Sequence, residues 1–198
     1  MEIKKYGKFK SNGKFKNKEQ IILSHTGRNL NDYLNGLTFR YNGKYDKIPN
    51  YIITREGEIL NLLSNIEYSK IFYEDEINKK SIIISLENLG WLNKEPLKDY
   101  YVNWIGDIYN GKVFEKKWRD YFFWEPYQDV QIHTTAFLCK KLFKKMNIKN
   151  EIIGHNTKIN GIEKFEGVVT KSNFDTDFTD LSPAFEFEKL SNITQYQH

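Results

Sequence analysis

Cysteine is almost missing from this chain: Cys139 stands alone among 198 residues. No internal disulfide is available, which excludes an oxidised, stapled scaffold and makes a reducing compartment the simplest setting. Cys139 falls inside a helical pattern, where a small buried apolar side chain is wanted. Long apolar runs are missing as well. Nothing approaches the roughly 18 consecutive apolar residues that span a bilayer, and the opening MEIKKYGKFKSNGKFKNK carries lysines without the apolar stretch of a leader peptide. The expectation is a cytoplasmic protein with no membrane partner. No segment rich in proline, glycine or serine interrupts the chain as a linker would.

What is present is enough for one domain with a full core, since 39% of residues are hydrophobic and 16% aromatic. The net charge of +4 is mostly local: the first eighteen residues hold seven lysines and one glutamate, Glu2. Residues 1–18 therefore read as a basic N-terminal segment and 19–198 as the domain. A solvated basic arm explains the lysines, and nucleic acid is not the expected partner. The repeated tetrapeptides Gly7–Lys10 and Gly13–Lys16 flank Ser11 and Asn12, a pattern that predicts a small hairpin.

Along the chain, residues 20–25 predict a strand that ends in polar side chains. Leu30, Tyr33, Leu34, Leu37 and Tyr41 then recur at helical spacing, with Asn29 placed to cap them. YIITREGEILNLL reads as strand, turn and strand around Glu56 and Gly57. SIIISLENLG, residues 81–90, reads as a second buried strand ending at Glu87 and Asn88. Asn110-Gly111 between alternating segments predicts a hairpin. Pro126 opens a long helix whose inward face is Val130, Phe137, Leu142, Phe143 and Met146, with Lys140, Lys141, Lys144 and Lys145 facing water. The tail reads as short strands, EIIGH and FEGVVTKSNF, followed by the polar loop TDLSPAFEF. Helices and strands intermixed at this spacing predict a single α/β domain with a mixed sheet.

Four segments in order, ILSHTG, PNYIITREG, SIIISLEN and VVTKSNFDTDFTDLSPAF, resemble the zinc-dependent N-acetylmuramoyl-L-alanine amidases of the peptidoglycan recognition protein and phage lysozyme type. WRDYFFWEPYQDVQ resembles the run before the long helix in phage and Bacteroidetes-type members. The resemblance covers roughly residues 19–190 and implies an amidase fold, a peptidoglycan substrate and a zinc ion. Carried over position by position, it implies a first zinc ligand at Ser24, a catalytic tyrosine at Pro49, a catalytic glutamate at Ser85, a second ligand at Lys171 and a third at Asp180. His25 falls on the variable position beside the first ligand. Asn50, Glu87 and Asn88 lie within the matching motifs. Only Asp180 keeps the family's residue type.

Such a hydrolase needs two neutral imidazoles and an anion around Zn2+, with an open position for a water that ionises near neutral pH. Serine is a poor ligand and an ammonium has no lone pair. Neither Pro49 nor Ser85 takes up a proton. The expectation is a pseudoenzyme without a cofactor, with ligand-binding residues Ser24, His25, Asn50, Ser85, Glu87, Lys171 and Asp180. Certain vertebrate peptidoglycan recognition proteins, whose strand also ends Ser-His-Thr, bind cell-wall fragments uncut. Lys171 is expected within about 4 Å of Asp180, the ion-pair limit, presenting positive charge to an anionic ligand. Muropeptide carboxylates are the class the resemblance implies; a phosphorylated or nucleotide ligand and a protein partner are alternatives. EIIGHNT also resembles the family's second-ligand strand, so a working amidase with zinc on His25, His155 and Asp180 is the competing reading. Lys171 lies nine residues before Asp180, as the family requires, and His155 lies twenty-five before it. His133 and His198 read as surface residues. A structural part of a phage or bacterial assembly is the third class; the Lys-, Asn- and Ile-rich composition fits an AT-rich bacterium or its phage.

Overall fold

The computed structural model describes residues 1–195. In chain order it contains β1 (Ile3–Lys5), β2 (Gly13–Lys14), β3 (Gln20–His25), α1 (Leu30–Gly43), β4 (Tyr51–Ile53), β5 (Ile59–Asn61), β6 (Glu67–Tyr68), α2 (Asp75–Lys80) and β7 (Ser81–Leu86). There follow β8 (Trp91–Lys94), β9 (Tyr101–Val102), β10 (Ile108–Tyr109), β11 (Phe114–Trp118), β12 (Tyr121–Trp124), α3 (Asp129–Met146), β13 (Gly167–Thr170) and α4 (Phe187–Gln195).

The central sheet has the order β1-β5-β4-β7-β3-β13. Only β4 and β5 pair antiparallel, around the turn at Gly57, whose φ of +80° favours glycine. The parallel strands β3 and β7 read as unbroken apolar runs because helices cover both their faces. Ile21, Leu23, Ile82, Ile84 and Leu86 point to one face and pack on Ile132, Ala136, Cys139 and Phe143 of α3. Ile22, Ile83 and Val169 point to the other, against Phe72, Ile77 and Ile162. On that same side Ile52 and Leu60 pack on Leu34 and Leu37 of α1. The molecule is a mixed α/β domain with a central mixed sheet flanked by helices. Among the described residues, no helix is long and apolar enough to cross a membrane.

Several local expectations change. No hairpin forms between the two tetrapeptides; β1 pairs with β5, and β2 pairs with β6. Lys18, at the end of this basic segment, is buried, with its Nζ donating to the carbonyls of Lys79 (2.6 Å) and Ser81 (3.0 Å). The turn at Asn110-Gly111 joins strands that are not neighbours, because β8 to β12 form a second, antiparallel sheet ordered β10-β9-β8-β12-β11. The β9–β10 turn is made instead by Asn103, whose Oδ1 accepts from Ile105 N (3.1 Å) and Asp107 N (2.8 Å). Val130 is 40% exposed, since the buried stripe of α3 begins at Ile132. Tyr41 is exposed because α1 loses helical geometry at Arg40. EIIGH contributes one bridge, Ile152 to Val168, and no strand.

Candidate functional site

The carboxyl ends of parallel strands are where an α/β sheet opens to ligands, and here β3, β7 and β13 end together at a cleft of about 730 Å³. Ser24 and Ser85 are register partners on β3 and β7, with side chains on the cleft side of the sheet and Oγ atoms 2.7 Å apart. Tyr33 reaches this pair from α1. Burial pushes its hydroxyl pKa up, and the Ser85 side chain beside it opposes part of the rise. The ends of β3 and β7 therefore present neutral hydroxyls to the cleft.

Lys171 begins a 3-10 turn directly after β13. Ser172 in the same turn donates through N (2.7 Å) and Oγ (2.5 Å) to the carbonyl of Asp180. That double tie brings the Asp180 loop back to the strand end. The Lys171 Nζ stands 3.7 Å from Asp180 Oδ2 and 4.2 Å from the Phe178 ring centroid. The side chain of Asp180 is 7% exposed, that of Lys171 23%. The pair is sheltered, yet the ammonium reaches the cleft.

His25 lies one residue beyond Ser24, and the period of two sends its ring to the α3 face. Its Nδ1 is 3.2 Å from the Tyr127 hydroxyl, and the ring lies against Gly90, where a Cβ would come within 2.9 Å of Nε2. Burial pushes its pKa down, with the nearby Asp180 and Lys171 charges acting in opposite directions. His155 is exposed, and its Nδ1 accepts from Thr157 N at 3.2 Å. The chain beside it is tied down by Asn173, whose Nδ2 donates to the carbonyls of His155 (3.0 Å) and Thr157 (2.7 Å), and His155 is not among the residues lining the cleft.

Zinc does not fit these residues. Ser24 is engaged with Ser85, and the group standing 3.7 Å from Asp180 is the Lys171 ammonium, which has no lone pair to give a metal. Among the described residues no three His, Cys, Asp or Glu side chains are grouped to hold an ion, so His25, His155 and Asp180 do not form the alternative site. His133 is exposed on α3, 3.8 Å from Asp129; His198 lies outside the described residues.

Of the expected ligand residues Ser24, His25, Ser85, Lys171 and Asp180 line the cleft, whereas Asn50 and Glu87 do not. Asn50 is 1% exposed, and its Nδ2 donates to the carbonyls of Ser64 and Glu67 (both 3.0 Å) while its Oδ1 accepts from Ile83 N (2.9 Å). It ties the 64–67 turn to β7. Glu87 turns its carboxylate to Leu30 N (3.0 Å), to Arg55 N (3.1 Å) and to the Arg55 guanidinium, which also binds Glu125 through Nε (2.7 Å). Asn88 is likewise fully buried, with its Nδ2 bonded to the Glu125 carbonyl at 3.2 Å.

The remaining wall is basic and aromatic. Arg28, Arg40, Lys47 and Lys70 line it beside Lys171, against the carboxylates of Asp46 and Asp180. Tyr45, Tyr73 and Trp104 add ring faces. The spacing Tyr33, Leu37, Arg40 on one helical face was a signal for Arg40. Trp104 had none, because the Asn103 turn delivers it from the second sheet, where its Nε1 donates to Gly27 O at 2.8 Å.

Comparison with known proteins agrees with this fold. No curated protein sequence matches the chain. The fold is similar to that of the amidase AmiD from E. coli, solved with anhydro-N-acetylmuramic acid-L-Ala-D-gamma-Glu-L-Lys (16% identity, TM-score 0.54, 93% of this chain). The chain spans only 60% of that structure's length. It is also similar to the amidase LysC from Clostridium intestinale (13% identity, TM-score 0.58, 100% of this chain and 99% of the other). AmpDh3 from Pseudomonas aeruginosa, solved with anhydromuramic pentapeptide, is similar over 93% of this chain and 62% of its own (15% identity, TM-score 0.56). The sequence profile of the N-acetylmuramoyl-L-alanine amidases matches residues 15–165, more than half of the chain. This chain belongs to the N-acetylmuramoyl-L-alanine amidase family.

Proposed function

We propose that this protein holds a peptidoglycan fragment in the cleft through its carboxylates and leaves it uncut. The observation that carries this reading is the Lys171 Nζ 3.7 Å from Asp180, opposite the Ser24–Ser85 pair, where a hydrolase needs metal donors and a proton shuttle. A sheltered carboxylate beside a divalent cation's position must be neutralised by something, and a lysine does so while keeping protons for a ligand oxygen. The muropeptides bound by AmiD and AmpDh3 carry free carboxylates, which suit a cleft with more cations than anions. Ser24, Ser85 and Tyr33 offer neutral hydroxyls, poor bases for activating water, and the His25 Nδ1 faces Tyr127.

Replacing Lys171 with Met keeps most of the length and deletes the charge. Titration of a muropeptide should show a roughly ten- to hundredfold weaker Kd in Lys171→Met, the worth of one charge-assisted hydrogen bond. Mass spectrometry should recover the ligand intact from both proteins. A ligand cut between sugar and peptide means that the chain is an active amidase, and equal affinities remove Lys171 from the ligand site.

A further inference from the structure

The cleft has a second cationic pole, away from Lys171. Arg28 follows β3, and its guanidinium lies 4.6 Å from the Trp104 ring centroid. Arg40, at the end of α1, lies 4.9 Å from the Tyr45 ring centroid. Both line the cleft, and among the described residues neither is in an ion pair with a carboxylate. They converge on one phenol: burial pushes the Tyr45 pKa up, and the charges of Arg40 and Arg28 both act against that rise.

The backbone supports the placement. Helical geometry breaks at Arg40 (φ −60°, ψ 140°), and Tyr41 and Asn42 follow with φ of 53° and 55°. Two consecutive left-handed residues without a glycine are uncommon. Such conformations persist where the surroundings over-determine them, and they gather at ligand sites. Here the break releases Arg40 from the helical path and lays it on Tyr45. A guanidinium lying over a ring is held in place by it, and although Arg40 also hydrogen-bonds the Tyr45 hydroxyl, each guanidinium has five N–H donors, enough to leave some for a ligand's oxygens.

We propose that Arg28 and Arg40 form an oxyanion subsite that takes a carboxylate or phosphate group of the ligand, with Trp104 and Tyr45 holding the two guanidinium planes. The inference rests on the cleft being the ligand site, as proposed above, and not on Lys171 or on the fate of the ligand. It assigns to α1 and the Asn103 turn a binding role that the sheet ends alone do not have.

The test is calorimetric titration of wild type, Arg28→Gln, Arg40→Gln and Lys171→Met, each checked for folding by circular dichroism. The probes are a muramoyl tripeptide, the same tripeptide with its carboxylates converted to amides, and inorganic pyrophosphate. Each arginine variant should bind the acidic tripeptide roughly ten- to hundredfold more weakly than wild type. The amidated tripeptide should bind wild type as weakly as those variants bind the acid. Arginine-dependent binding of pyrophosphate alone, with no tripeptide binding, keeps the subsite with phosphate as its source and overturns the muropeptide reading. Tripeptide affinity that falls in Lys171→Met and stays at the wild-type level in both arginine variants overturns the subsite and leaves the reading above standing. A folded wild type that binds none of the probes overturns both.

Discussion

Lys18 sits 3% exposed with its ammonium donating to carbonyls, among the described residues it is in no ion pair with a carboxylate, and burial pushes its pKa down to about 8. The unfolded value is higher, near 10.5, so the unfolded chain holds the proton more tightly between the two. Stability therefore rises with pH across that window, and the desolvation cost is carried in full below pH 8. Urea midpoints of wild type measured against Lys18→Met should climb between pH 8 and 10, by a gain on the order of 1–3 kcal/mol. A flat difference curve would show that the carbonyls fully compensate the charge. The same scale shows what spacing reveals and what it hides. A spacing of nine positions from Lys171 to Asp180 was enough to expect them together, and they stand 3.7 Å apart. Asn50 and Glu87 were expected in the cleft and instead bond backbone, because a polar residue at a strand end serves either purpose and only its partner decides.

At the scale of elements, α1 starts without a side-chain cap from Asn29. Its first N–H is taken by Glu87 from the end of β7, whose carboxylate also meets Arg55. One buried carboxylate thus seats the cleft wall on the sheet, and its loss strands a largely buried guanidinium with Glu125 alone. Glu87→Ala should destabilise the fold by about 3 kcal/mol in urea denaturation, with Glu87→Gln losing less because it keeps an acceptor for Leu30 N. A cost under about 0.5 kcal/mol would mean that Glu125 and water replace it. The apolar periodicities of β3, β7 and α3 were legible since each is dictated by burial. The Asn110-Gly111 turn misled because the competing Asn103 turn is fixed by two side-chain bonds that local pattern does not reveal.

For the whole molecule, the donor set at the mouth of the sheet decides the metal. Protein purified without chelator should hold well under one zinc per chain by plasma mass spectrometry, and its Tm should not move with a chelator, because among the described residues no three His, Cys, Asp or Glu side chains are grouped to make metal binding part of folding. Stoichiometric zinc, or a Tm that falls on chelation, would overturn the pseudoenzyme reading.

The amino-acid sequence by itself determined the layers: buried runs at Ile21–Leu23 and Ile82–Ile84 demand a sheet covered on both faces, and the segment order is that of the amidases. It also determined that hydroxyls and a lysine stand in the segments resembling the family's site motifs, since Ser24, Ser85 and Lys171 are read directly from it. Only the tertiary structure decided which way each of them faces. The strand period sends His25 to Tyr127 and Ser24 to Ser85. Arg28, Arg40, Tyr45 and Trp104 come from a loop, a broken helix end and a turn of the second sheet, and line one wall only because the chain packs. Burial periodicity is a local property of sequence, whereas convergence of side chains from distant segments is a property of packing, which no window of residues contains.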